Sequence, residues 1–392
     1  MTPQARVQAA IEVLDLVIEA ARRGGAPADR IITDWFRSRR FAGSGDRRAV
    51  RDLAYAAIRA CGDIPESGRA ALVLLASRDP ALAGLFDGSR HAPDPIAEGE
   101  PAAEPGIAPC WLEQALVDSG VGAVEAAHLL DRAPLDIRVN TLKADRVALD
   151  LPVPGEPLLA PQGLRLPHGT NVESWDAYQA GQIEVQDGGS QLTCLAVAAQ
   201  PGETVIDLCA GAGGKTLALA AAMGGRGRLI ACDTDRTRLS RLGPRAERAG
   251  AGLIETRLLN PNRELDALAD LAGQGDAVLV DAPCSGTGTW RRNPEARWRL
   301  SPREVARYAA IQSRLLDVAA GLVRVGGRLV FVTCSLLDAE GADQVDAFLS
   351  RNPGWQVEAP GIGAGVARGQ GLRLSPWHDG TDGFFVARLR KL

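Results

Sequence analysis

Thr204-Val205-Ile206-Asp207-Leu208-Cys209-Ala210-Gly211-Ala212-Gly213-Gly214-Lys215-Thr216 is the stretch that decides the fold. A short apolar run of strand type leads into an acid, then into a glycine-rich turn, then into a helical run. Glycine lets the backbone approach a ligand closely and reach positive φ, so the turn suits a nucleotide-like cofactor. Three loops of this kind can be compared. A phosphate-binding loop ending in Gly214-Lys215-Thr216 needs glycine at 209, where Cys209 stands. A dinucleotide fingerprint starting at Gly211 needs glycine at 216, where Thr216 stands. A methyl-donor loop needs an acid followed by glycines at alternate positions, which Asp207, Gly211 and Gly213 supply, with Cys209 in place of the first glycine. Of the three the methyl-donor loop fits best; a plain structural turn is the competing reading.

Working outward, apolar strand candidates at 204–208, 228–232, 277–280 and 328–333 alternate with helical stretches, the mark of a parallel α/β sheet. Each runs into a polar or reactive residue: Asp207, Asp233, Asp281 and Cys334. Ligands of open α/β sheets bind beyond the carboxyl ends of the strands, so these four residues are expected to share one crevice. Asp233, at the end of the next strand, stands where a ribose-diol reader belongs.

Upstream the pattern differs. Val7, Ala10, Ile11, Leu14, Val17, Ile18 and Ala21 recur at helical spacing. A second helix is expected from Ser44 or Asp46 through Ile58, and a third over 68–76. Residues 79–109 are rich in Pro, Ala, Glu and Gly and read as a linker. A helix over 111–130 and short strands up to 185 suggest a small subdomain. The expected organisation is an all-α domain at 1–78, a linker at 79–109, a helical and α/β subdomain at 110–185, and a Rossmann-like catalytic domain at 186–392.

The formal net charge of −4 argues mildly against a polyanion partner, but basic clusters break the average. Residues 291–314 hold Arg291, Arg292, Arg297, Arg299, Arg303, Arg307 and Arg314 against Glu295 and Glu304. Residues 37–51 hold six arginines against Asp46. Seven cysteines, an odd number with no CxxC pair, argue against a disulfide framework or zinc knuckle and fit a reducing cytoplasmic setting. No apolar run reaches membrane-span length, and acids at Glu12, Asp15 and Glu19 rule against a signal peptide.

A single cysteine is ordinarily a small buried hydrophobe, and Cys61, Cys110, Cys194 and Cys232 are read that way. Cys284, in Asp281-Ala282-Pro283-Cys284, and Cys334, in Thr333-Cys334-Ser335, instead follow strand ends beside the proposed crevice. Their placement selects a reaction. Carbon 5 of a pyrimidine is a poor nucleophile, but a thiolate added at carbon 6 makes it enamine-like and able to attack an electrophilic methyl. Ring nitrogen 3 then needs proton support, which Asp281 is placed to give.

These residues resemble the Sun/NOP family of RNA (cytosine-5) methyltransferases, and most of all its bacterial ribosomal RNA branch with a NusB-like N-terminal domain. The matching stretches are LDIRVNTLK (135–143), EVQDGGSQL (184–192), DLCAGAGGKT (207–216), VDAPCSGTGTWRRNPEARW (280–298), VTCSLL (332–337) and GTDGFFVARL (380–389), with a weaker match at RRFAGSGDRRAVRDLAY (39–55). The resemblance implies a Rossmann-like class I methyltransferase fold using S-adenosylmethionine. It implies Cys334 as nucleophile, Cys284 as an aid to product release, and Asp281 on the target base and on the cofactor. It also implies a methyl-donor site formed by Cys209, Ala210, Gly211, Ala212, Gly213, Gly214 and Lys215, with Asp233 on the ribose. Asn260 stands where relatives carry an aspartate near the adenine, and Ala212 where many carry proline. RNA is the expected partner, ribosomal before transfer RNA, with no membrane, no metal and a monomeric state. The rival from another class is a non-catalytic RNA-binding or assembly factor; two thiols at these places speak against it.

Next to Cys284, aromatics and cations interleave in Trp290, Arg291, Arg292, Asn293, Arg297 and Trp298. Single-stranded RNA is held by stacking and by arginine on phosphates, so Arg291, Arg292 and Trp298 are the expected RNA contacts. A solvated cap with two core tryptophans is the plain alternative. Reaching carbon 6 also requires a flipped or unpaired base.

Overall fold

A computed structural model describes residues 1–392. It divides into two units, Met1–Asp131 with Thr289–Ser301, and Arg132–Gly288 with Pro302–Leu392.

The first unit is helical. Its long helix Pro3–Arg23 begins where Thr2 Oγ1 accepts from the Ala5 amide at 3.2 Å and stops at Gly24, whose φ of 66° closes it. Every apolar residue of the expected stripe in this helix is buried. Helices Ala28–Arg37, Ser44–Ala60 and Gly68–Ala76 pack around it. Helix Gly68–Ala76 comes so close that a Cβ at Gly68 would stand 2.3 Å from the Ile11 carbonyl oxygen, a contact only glycine permits.

Two boundaries differ from expectation. The stretch 79–109 is not a linker. It lacks periodicity, yet Leu82, Phe86 and Ala103 are buried in the same core, and Arg69 pairs with Glu100 at 2.6 Å. Irregular backbone with apolar anchors packs as firmly as a helix once its polar groups find partners. The region expected as one helix over 111–130 is two, Cys110–Asp118 and Ala123–His128, broken at Gly120 (φ 74°). Both belong to the helical unit.

The second unit holds two sheets. The smaller uses β1 (Leu135–Val139), β2 (Glu156–Pro157), β3 (Gly163–Leu166) and β4 (Ile183–Val185) in the order β2-β3-β1-β4, all antiparallel. The larger comprises β5 (Thr204–Asp207), β6 (Arg228–Asp233), β7 (Ile254–Leu258), β8 (Gly275–Asp281), β9 (Val323–Thr333), β10 (Trp355–Glu358), β11 (Val366–Arg368), β12 (Gly371–Leu374) and β13 (Phe384–Lys391). Its order is β11-β12-β13-β9-β8-β5-β6-β7, with β10 pairing β13. Strands β7 through β9 are parallel, and β13 closes antiparallel on β9.

The four expected strands are the neighbours β6, β5, β8 and β9, near-continuous apolar runs as a doubly covered parallel sheet requires. The separate subdomain expected up to residue 185 is instead part of this unit. Glu184 of β4 accepts from Arg245 at 2.9 Å and also pairs with Arg248, both on helix Leu242–Ala249 beside the large sheet. No helix is long and apolar enough to cross a membrane.

Candidate active site

The glycine loop leaves β5 and enters helix Gly214–Ala222. Gly211 and Gly213 take φ of 56° and 87°. The positive φ favours glycine at 213, and a Cβ there would lie 2.1 Å from Leu242 Cδ1, so Leu242 would have to move. Asp233, at the end of β6, ties the loop down: its Oδ2 accepts from the Gly211 amide at 2.7 Å and its Oδ1 from the Asp235 amide at 2.7 Å. Arg245 donates to the Ala212 carbonyl at 2.6 Å. Asn260, just past β7, is exposed.

Asp207 faces inward. It is fully buried, and its Oδ2 accepts from Thr216 Oγ1 at 2.7 Å while Oδ1 has no partner. Burial pushes its pKa up to about 7, against the Thr216 hydrogen bond; the charge of Asp281 adds to the rise and that of Lys215 opposes it. One turn into the helix, Lys215 Nζ donates to Asp281 Oδ2 at 2.7 Å. Burial works against the lysine's charge, but Asp281 and nearby sulfurs outweigh it and its pKa is raised.

The two thiols meet at the ends of adjacent parallel strands. Cys284 Sγ lies 3.3 Å from Cys334 Sγ, and both residues are half-buried. The hydrogen bond with Cys334, then burial, then the charges of Cys334 and Glu340 push the Cys284 thiol far above its ordinary range. Cys284 therefore keeps its proton at neutral pH. Burial likewise lifts Cys61 and Cys194 to about 11 and Cys232 to about 12, as expected for inert packing thiols. It raises Cys209 too, which the charge of Asp207 reinforces.

Beneath the thiols is a residue the sequence reading missed. Glu340 is fully buried in the turn before helix Ala342–Arg351. Its carboxylate accepts from the Ser285 amide at 2.8 Å, from the Ser285 hydroxyl and from Ser335 Oγ at 2.7 Å. Gln312 donates to the Pro283 carbonyl at 2.9 Å and reaches Glu340 at 3.4 Å. Thr287 Oγ1 accepts from the Leu336 amide at 2.8 Å. Each thiol's C-terminal neighbour is thus a serine bound to one carboxylate. A lone Glu six residues after Cys334 carries no signal in the sequence.

Two of the three expected RNA contacts are buried. Trp298 is 4% exposed and Arg291 6%, both inside the helical unit, and Arg292 is half-buried. Arg297 donates to the Ile58 and Cys61 carbonyls at 2.6 and 2.7 Å, at the end of helix Ser44–Ala60. Helix ends leave unpaired carbonyls, and Arg297 satisfies backbone oxygens instead of meeting solvent. Trp290 and Trp298 are core residues, as the plain alternative expected, but Arg291 and Arg297 are buried with them and not solvated.

A parallel sheet with its glycine loop and acids at the strand ends is a Rossmann-like fold of the methyltransferase class. The family model for 16S rRNA methyltransferase RsmB/F matches residues 194–390, and the chain belongs to that family. It is 34% identical to a probable ribosomal RNA small subunit methyltransferase B of Synechocystis sp. over 72% of this chain and 66% of that protein. It is 32% identical to ribosomal RNA small subunit methyltransferase B of Citrobacter koseri over 81% of this chain and 75% of that one. The chain therefore spans 66% to 75% of these relatives' lengths. The solved structure of PH0851 has a TM-score of 0.75 at 24% identity, covering 100% of this chain and 99% of its own, which speaks to fold. A methyltransferase homologue from Pyrococcus horikoshii has a TM-score of 0.60 at 24% identity over 72% of this chain and 99% of its own.

Proposed function

We propose that this chain methylates carbon 5 of a cytosine in 16S ribosomal RNA, with Cys334 as the covalent nucleophile and S-adenosylmethionine as donor. The observation that carries the reading is the pair of thiols 3.3 Å apart beside the Lys215–Asp281 ion pair. The glycine turn fits the donor: positive-φ glycines leave backbone open to a ligand, and Asp233 and Asn260 stand at the neighbouring strand ends. When bound, the donor supplies an electrophilic methyl.

The chain's own residues do the rest. Cys334 Sγ adds to carbon 6 of the base. As it adds, the thiol proton of Cys334 passes through the Asp281 carboxylate to ring nitrogen 3, while Lys215 holds that carboxylate in place, and carbon 5 becomes enamine-like. Once carbon 5 is methylated, Cys284 gives its proton to the departing Cys334 sulfur and takes up the carbon 5 proton in exchange, the electrons of that C–H bond restore the 5,6 double bond as the carbon–sulfur bond breaks, and the nitrogen 3 proton returns through Asp281 to solvent. Glu340 fixes both thiol loops. In the helical unit, exposed Arg40, Arg47, Arg48 and Arg51, beside a Phe41 that is 75% exposed, supply charge and a stacking face for RNA.

The test is methyl incorporation from labelled donor into 16S rRNA by wild type and Cys334→Ala. Incorporation is expected only with wild type; equal counts would leave a non-catalytic RNA-binding factor. Bisulfite sequencing of RNA from cells with and without the gene then identifies the cytosine.

A further inference from the structure

We propose that a cavity in the second unit, distinct from the methyl-transfer residues, binds an aliphatic α-amino acid in zwitterionic form. The cavity has a volume of about 330 Å³ and lies between the small sheet, helix Gly188–Leu195 and helix Gly214–Ala222. Taking a water as about 30 Å³, it holds roughly ten waters, or a leucine-sized ligand with a few waters.

Arg138 of β1 lines it. This guanidinium is 5% exposed, and its one hydrogen bond runs from Nε to Gln186 Oε1 at 2.7 Å. No carboxylate pairs with it; Glu184, opposite it in the sheet register, is taken by Arg245 and Arg248. Buried charges are ordinarily paired, since an unpaired one forfeits hydration without compensation. Arginine's fork matches a carboxylate through two parallel hydrogen bonds.

Two orphan acceptors line the same cavity. Gln191 is 3% exposed, and its Nε2 donates to the Ile137 and Gln186 carbonyls at 3.1 and 2.9 Å. Those bonds fix which end is oxygen, and Oε1 is buried without a partner. Gln162 Oε1 is buried and unpartnered as well. One cation and two amide oxygens are the complement of a carboxylate and an ammonium. Leu195, Ala218 and Ala221 supply apolar wall, beside Thr141, Cys194 and Gln200, which suits an aliphatic side chain.

The full-length protein is titrated with L-leucine, and binding is read by calorimetry and ligand-observed NMR, without turnover. Leucine is expected to bind with a Kd below about 10 mM. Leucinamide and isoamylamine, which lack the carboxylate, are expected to bind at least about tenfold more weakly. Ala221→Phe, which fills the cavity, and Arg138→Met, which removes the cation, are each expected to abolish binding; either serves if the other fails to fold. Absence of leucine binding at about 10 mM, equal binding of leucinamide, or wild-type affinity in a folded variant would overturn the proposal. Because no step of methyl transfer enters the measurement, its failure leaves the catalytic reading untouched.

Discussion

Cys284 Sγ and Cys334 Sγ stand 3.3 Å apart at the ends of neighbouring parallel strands, and Cys284 is held strongly to its proton. A protonated thiol is a donor and not a nucleophile, which suits Cys284 to the proton-donating part of the proposed release. Cys334→Ser should abolish both methyl incorporation and covalent capture of RNA. Cys284→Ser should still attack but release slowly, so a protein–RNA adduct should accumulate on a denaturing gel. A Cys284→Ser protein that turns over normally with no adduct band removes the release role.

Glu340 joins the two thiol loops through Ser285 and Ser335. A hydrogen bond to a charged group contributes about 1.5–3 kcal/mol, so Glu340→Gln should cost about 3 kcal/mol in urea unfolding. Loosening both loops should also lower kcat by roughly tenfold or more while the donor's affinity holds, because reacting groups lose alignment. Wild-type stability and kcat in this variant would show that the carboxylate positions nothing.

Asp207 gives a pH dependence of defined sign. Its folded pKa of about 7 lies above the ordinary carboxylate value of 3.8. Below 3.8 both states are protonated and no penalty exists. As pH rises towards 7 the unfolded chain ionises first, and stability falls by on the order of 4 kcal/mol. Thermal unfolding of the ligand-free protein should therefore show Asp207→Asn gaining on wild type from about pH 4 to about pH 7, with a constant difference above. A difference independent of pH would mean that Asp207 ionises normally.

Gly213 disfavours any side chain, because its φ is 87° and a Cβ there would fall 2.1 Å from Leu242 Cδ1. Gly213→Ala should displace the loop, costing about 2 kcal/mol or more in stability and weakening donor binding measured by calorimetry. Gly214→Ala, where a Cβ meets nothing within 4 Å, is the matched control. Equal donor affinity and stability in the two variants would mean that the tight fit at Gly213 has no bearing on the site.

Trp298 belongs to the helical core. Trp298→Ala should cost about 3–5 kcal/mol of stability and lower the unfolding midpoint. RNA affinity measured well below that midpoint should change little. A folded, stable variant with specific loss of RNA binding would restore the surface role first expected for this segment.

The strands, the glycine turn and the stripe of helix Pro3–Arg23 were legible because they are local. Continuous apolar runs, period-3.6 burial and positive-φ turns are set within a few residues of chain. The placing of Asp233, Asp281 and Cys334 at the ends of neighbouring strands followed from one rule about parallel sheets, whereas Asp207 turned out to be buried inward. The fate of 79–109 and 289–301 was not legible, because a proline-rich or arginine-rich stretch looks the same whether it packs or is solvated.

Composition and spacing by themselves therefore determined the sheet, the glycine turn and the two thiols placed past its strand ends. Only the folded chain decided that Arg297 would cap a distant helix end, and that Glu340 would bind Ser285 from 55 residues away. The reason is that β8 and β9, neighbours in the sheet, are separated in the chain by the helix Pro302–Leu322. A buried polar group's partner is set by what tertiary packing brings within about 3 Å, and no window of sequence carries that distance.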